Sequence, residues 1–132
     1  MTRIESEKKT LAKPASGIYS FLSDFRNFSS IMPEQVTDWQ ATADTCSFTI
    51  KGMASLGMKI TDRKPDESIT IEKYGKAPFD FKLHCLIESI NHNSSALRLV
   101  FEVDLNPMLK PMVEKPLKNF LDMMVDRYSE MA

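Results

Sequence analysis

Phe79-Asp80-Phe81-Lys82-Leu83-His84-Cys85-Leu86-Ile87-Glu88 is the stretch on which the fold turns. Phe79, Phe81, Leu83, Cys85 and Ile87 recur at every second position, opposite Asp80, Lys82, His84, Leu86 and Glu88. A period of two marks a strand with one face buried and the other turned to polar surroundings. Asn91-His92-Asn93-Ser94 then supplies turn chemistry, and Leu97, Leu99, Phe101, Val103 and Leu105 resume the alternation. Two such runs joined by a short polar turn read as antiparallel neighbours.

Working toward the amino terminus, the same period holds back to about Val36. Ile69 and Ile71 precede the turn cluster Gly75-Lys76-Ala77-Pro78, Leu56, Met58 and Ile60 precede Lys64-Pro65-Asp66-Glu67, and Cys46, Phe48 and Ile50 precede Gly52. These runs form an antiparallel meander with one apolar face. Arg3 to about Leu11 reads as a first strand, and Lys13-Pro14-Ala15-Ser16 opens a helix carrying Ile18, Phe21, Leu22 and Phe25 on one side. Asp24 caps a second short helix whose apolar positions run through Phe28, Ile31 and Met32 to Pro33. Beyond Asn106-Pro107 the period becomes helical again. Val113, Leu117, Phe120, Leu121, Met124 and Tyr128 share one side, with Lys115, Lys118, Asp122 and Asp126 mostly on the other.

The 132 residues, 42% hydrophobic and 27% charged, suit one globular domain spanning 1–132. Seventeen basic against 18 acidic residues leave a net charge of -1, with no basic run longer than Lys8-Lys9, so a nucleic-acid partner is not expected. The polar start Thr2-Arg3-Ile4-Glu5-Ser6-Glu7-Lys8 carries no signal-like or membrane-spanning apolar stretch. A cytoplasmic location without stable membrane insertion is the corresponding expectation. Cys46 and Cys85 each replace a small hydrophobe in an alternating run and are expected as buried free thiols.

The order of strand, two short helices, meander and long terminal helix resembles the START-like superfamily, also called SRPBCC or Bet v 1-like, with its polyketide cyclase/dehydrase and lipid-transfer members. The resemblance covers nearly the whole chain. Its sharpest pieces are Ala15-Ser16-Gly17-Ile18-Tyr19-Ser20-Phe21-Leu22-Ser23-Asp24, Ile31-Met32-Pro33 and the segment from Asn106-Pro107 to Met131. It implies an α+β helix-grip fold, with a curved antiparallel sheet of about six or seven strands wrapped on the C-terminal helix. It also implies an apolar cavity between sheet and helix, and it carries no shared catalytic constellation.

No GxSxG, P-loop or dinucleotide motif is present, and His84 and His92 lack companions at ligand spacing, so no metal, cofactor or catalytic residue is assigned. The expected function is binding or transport of a small hydrophobic ligand (lipid, sterol-like or polyketide-like). Phe48, Ile50, Met58, Ile60, Phe81, Leu83, Phe101, Val103, Met112, Phe120 and Met124 are the expected lining. Nine methionines suit an adaptable apolar surface or simple core filling. Two alternatives stand beside this reading: a cyclase/dehydrase-type enzyme using the same cavity, and a protein-interaction module with a filled core, for instance a homodimer. Pro116 interrupts the terminal pattern, which predicts a bend separating an entrance segment with Met108, Leu109 and Met112 from a gripping segment with Phe120 and Met124.

Overall fold

The computed structural model describes residues 2–51, 54–75, 77 and 79–131. Gly52, Met53, Lys76 and Pro78, which figure in the expected turns and methionine set, lie outside the described residues. Strands β1 (Thr2–Glu5) and β2 (Lys9–Leu11) precede helix α1 (Ala15–Leu22) and a 3₁₀ turn (Phe25–Ser30). Strands β3 (Val36–Ala41), β4 (Thr45–Ile50), β5 (Ala54–Lys64), β6 (Ser68–Lys73), β7 (Phe81–Asn91) and β8 (Ser94–Val103) follow, and helix α2 (Lys110–Ser129) closes the chain. All strands join one curved, unclosed antiparallel sheet in the order β1-β8-β7-β6-β5-β4-β3, with β2 also on β8.

Register explains why the concave face is continuous. Cys46 faces Met58, Ile60 faces Ile71, Ile69 faces Cys85, Leu83 faces Phe101 and Phe81 faces Val103, so the apolar phase of every strand falls on one side. The expected first strand is divided. Glu5 pairs with Val100 and Lys9 with Leu97, so three residues, Ser6 to Lys8, oppose two. Ser6 closes the gap: its amide donates to the Leu99 carbonyl at 2.8 Å and its hydroxyl accepts from the Leu99 amide at 2.9 Å. This bulge puts both Ile4 and Leu11 on the inner face, although strict alternation would set positions 4 and 11 on opposite faces.

The second short helix is a 3₁₀ turn, capped as expected by the Asp24 carboxylate, which accepts from the Arg26 amide at 2.9 Å. Neighbouring Arg26 holds the Asp24 carboxyl down at about 2. Phe79 and Leu105 lie just beyond the ends of β7 and β8 rather than within them, though Phe79 remains buried. α2 runs through Pro116 without interruption.

Candidate functional site

The concave face and α2 enclose the apolar interior that the sequence reading singled out. Phe48, Ile50, Met58, Ile60, Phe81, Leu83, Phe101, Val103, Phe120 and Met124 are all 6% exposed or less and belong to one cluster. Met112 does not join them. It is 71% exposed, because position 112 lies beside the inward stripe of Val113, Leu117, Phe120 and Met124 rather than in it. In this conformation the inward side chains meet one another across the interior: the Phe48 and Phe120 rings stack with centroids 6.2 Å apart, and Phe81 leans on Phe101 at 5.0 Å.

Trp39 is a member that alternation concealed. Between the pairs Thr37 with Thr49 and Gln40 with Ser47, two β3 residues oppose one. Asp38 occupies this bulge with φ of 56°, a left-handed conformation that aspartate tolerates better than most residues. The extra residue turns Trp39 inward, onto Phe48 at 5.5 Å, so Trp39, Phe48 and Phe120 form an aromatic series from the sheet edge to α2. A strand phase counted from Val36 sends Trp39 outward, and only the bulge corrects it.

The titratable groups in this interior are held neutral. Burial pushes the Cys46 and Cys85 thiols up to about 12, and both are free. Protonated thiols are weak nucleophiles. Burial likewise pushes the Tyr128 phenol up to about 12, and that ring lies 4.5 Å from Phe21 in a stacked arrangement, under the Lys13 ammonium at 5.4 Å. Outside, His84 Nε2 meets Glu102 Oε1 at 2.9 Å, while Thr70 Oγ1 stands 3.5 Å from His84 Nδ1. The second distance is too long for a firm hydrogen bond, so the outer face carries an imidazole–carboxylate pair and no hydroxyl relay. His92 lies in the β7–β8 turn as expected.

How α2 is held is unequal along its length. Asp122 Oδ1 accepts from the Glu7 amide at 2.8 Å, and Asp126 Oδ1 accepts from Lys9 Nζ at 2.8 Å. Met123 Sδ accepts from Gln35 Nε2 at 3.4 Å, and the Met131 carbonyl accepts from Lys13 Nζ at 2.8 Å. Asp122 and Asp126, which the sequence placed on the outer side of the helix, thus pin it to the bulge between β1 and β2 and to the first residue of β2. Among the described residues, every side-chain hydrogen bond from the α2 region to another element begins at position 122 or later. Toward the other end Met108, Leu109 and Met112 are 84%, 38% and 71% exposed.

Open clefts lie around the periphery. One of about 670 Å³ crosses the outer surface of β3, β4 and β5, where Thr45, Ser47, Thr49, Ser55 and Gly57 give a floor of small residues. Gly57 is required there, since a Cβ would collide with the Tyr74 carbonyl. Another, of about 470 Å³, separates β1 from the first turns of α2 and is lined by Arg3, Ile4, Glu5, Pro111, Glu114, Lys115 and Lys118. Neither is enclosed between the concave face and the inward stripe of α2.

This architecture is the START-like, or SRPBCC, helix-grip fold. A START superfamily protein from Mycobacterium smegmatis superposes with a TM-score of 0.76 at 15% identity, over 96% of this chain and 94% of that one. A norcoclaurine synthase variant from Thalictrum, solved with a transition-state analogue, gives 0.77 at 12% identity, over 98% and 92%. The di-domain ARO/CYC protein BexL gives 0.71 at 14% identity, over 97% of this chain and 46% of that one. No family model matches the sequence, and no curated protein does. At such identities the likeness establishes the fold alone.

Proposed function

We propose that the chain is a binding module that takes up a small hydrophobic molecule between the concave face and α2. The carrying observation is a concave surface that is apolar apart from the buried Ser95 hydroxyl, covered by a helix whose polar tethers are confined to one half. Phe48, Ile50, Met58, Ile60, Phe81, Leu83, Phe101, Val103, Phe120 and Met124 are the proposed lining, joined by Trp39. Because these side chains meet one another in the present conformation, uptake requires the first half of α2 to move away and the flexible Met58 and Met124 side chains to repack. Pro116 lies between the two halves and deprives the Met112 carbonyl of its helical donor, which lowers the cost of opening there. Thiols and a phenol that stay protonated near neutral pH offer no ready base or nucleophile, which favours carriage over turnover.

The test is thermal unfolding with fatty acids, sterol-like and aromatic polyketide-like compounds, with native mass spectrometry of protein purified from its own host. Saturation at about 100-fold above Kd is expected to stabilise the fold by about 2.7 kcal/mol for at least one class. The mutual contacts of the inward side chains favour one second reading, an interaction module with a filled core. A flat response across all three classes and no co-purifying molecule would select it.

A further inference from the structure

The tip of α2 presents Met108, Leu109 and Met112 to the surroundings at 84%, 38% and 71% exposure. Large apolar side chains grouped this way need a partner or a reason. The tip is also basic: residues 108–118 hold Lys110, Lys115 and Lys118 against Glu114 alone, in a chain whose net charge is -1. Lys118 is engaged with Asp122 at 2.8 Å, while Lys110 and Lys115 have no ion-pair partner among the described residues.

A helix start leaves its first four amide donors without intrahelical partners, to be met by capping side chains or by water. Asn106 Oδ1 accepts from the Met108 and Leu109 amides at 2.9 and 3.0 Å, and the Asn106 carbonyl accepts from the Lys110 amide at 3.2 Å. Pro111 has no donor, and the Met112 and Val113 amides bond to the Leu109 carbonyl at 3.0 and 3.1 Å. Every amide donor from 108 to 113 therefore has an acceptor, so the tip can leave water without orphaning an N–H group.

We infer that this end of the molecule docks reversibly onto an anionic lipid surface, with Met108, Leu109 and Met112 entering the headgroup boundary and Lys110 and Lys115 meeting lipid phosphates. Apolar insertion combined with a basic rim is the chemistry of an interfacial anchor. A second copy fits less well, because a two-fold contact through this patch sets the lysines of both copies together. Docking does not require a ligand in the interior, so its test is separate from the preceding one.

Co-sedimentation is measured with vesicles of phosphatidylcholine alone and with vesicles containing about one third phosphatidylglycerol. The wild-type chain is expected to sediment with the second kind, and Met108→Asp/Met112→Asp to lose at least about tenfold in partitioning. Both positions are exposed, so circular dichroism and the melting temperature are expected to stay unchanged. Lys110→Glu/Lys115→Glu keeps the apolar side chains and is expected to abolish the preference for the anionic vesicles. Failure of the wild type to sediment at low salt, equal sedimentation of the Met108→Asp/Met112→Asp variant, or an unchanged anionic preference in the lysine variant would overturn the inference. So would a concentration-dependent dimer, dissolved by the methionine variant, in a chain that ignores vesicles.

Discussion

From Leu117 to Tyr128, α2 sends Leu117, Phe120, Leu121, Met124, Val125 and Tyr128 into the core at 5% exposure or less, and Asp122 and Asp126 bond to the β1–β2 bulge and the start of β2. From Lys110 to Lys115 only Val113 is buried, and the exposed positions include Met112 and two lysines. One helix thus holds a packed, bonded half and a lightly held half, with Pro116 between them. The contrast teaches that local stability follows burial and tethering rather than membership of one regular element. On the function proposed above, the lightly held half is the wall that would move to admit a ligand.

The largest expected effect comes from truncating the packed half. Phe120→Ala removes a ring stacked on Phe48 and is expected to cost about 3 to 5 kcal/mol, and Met124→Ala about 2 to 5 kcal/mol. Met112→Ala is expected to stay within about 0.5 kcal/mol, as an exposed substitution. Urea midpoints of the three variants measure the contrast; similar losses at 112 and 124 would erase it.

Pro116→Ala sharpens the same comparison. It returns an amide donor to the Met112 carbonyl, so the first half of α2 gains helical stability while the sheet is untouched. Uptake and release of an apolar fluorescent probe are expected to slow by more than the change in urea midpoint accounts for. Unchanged kinetics would leave α2 a fixed wall.

A pH effect belongs to the packed half alone. Tyr128 titrates at about 12 in the folded protein against 10.0 ordinarily, so above pH 10 the unfolded chain releases its proton first. Stability from this group is complete below pH 10 and falls as pH rises toward 12. Tyr128→Phe is expected to remove that part of the alkaline loss, read as the difference between the two melting curves over this interval. The smallest effect is expected from Asp126→Asn, which breaks the exposed contact to Lys9. A slight fall in midpoint at low salt should vanish at high salt.

The period-two runs from Cys46 to Val103 and the helical period after Pro107 were sufficient to read the sheet, its inner face and the gripping helix. Burial of a strand face imposes a pattern that any single chain displays. Two bulges were not legible, since each depends on the partner strand: Ser6 answers Leu99, and Asp38 admits Trp39 to the interior. Asp122 and Asp126 read as solvated helix charges because their partners, Glu7 and Lys9, lie more than a hundred residues earlier. Met112 was placed inside because its residue type fits an apolar lining, whereas its position on the helix surface sets it outside.

Amide hydrogen exchange resolved along α2 tests the central claim most directly. Under native conditions the amides of residues 112–115 are expected to exchange through a local opening, at least about 2 kcal/mol easier than the opening that exposes residues 120–128. Bound apolar ligand should narrow that gap by protecting the first segment more than the second. Exchange of both segments at one rate, with the free energy of global unfolding, would show α2 to be a single rigid element and would contradict the account.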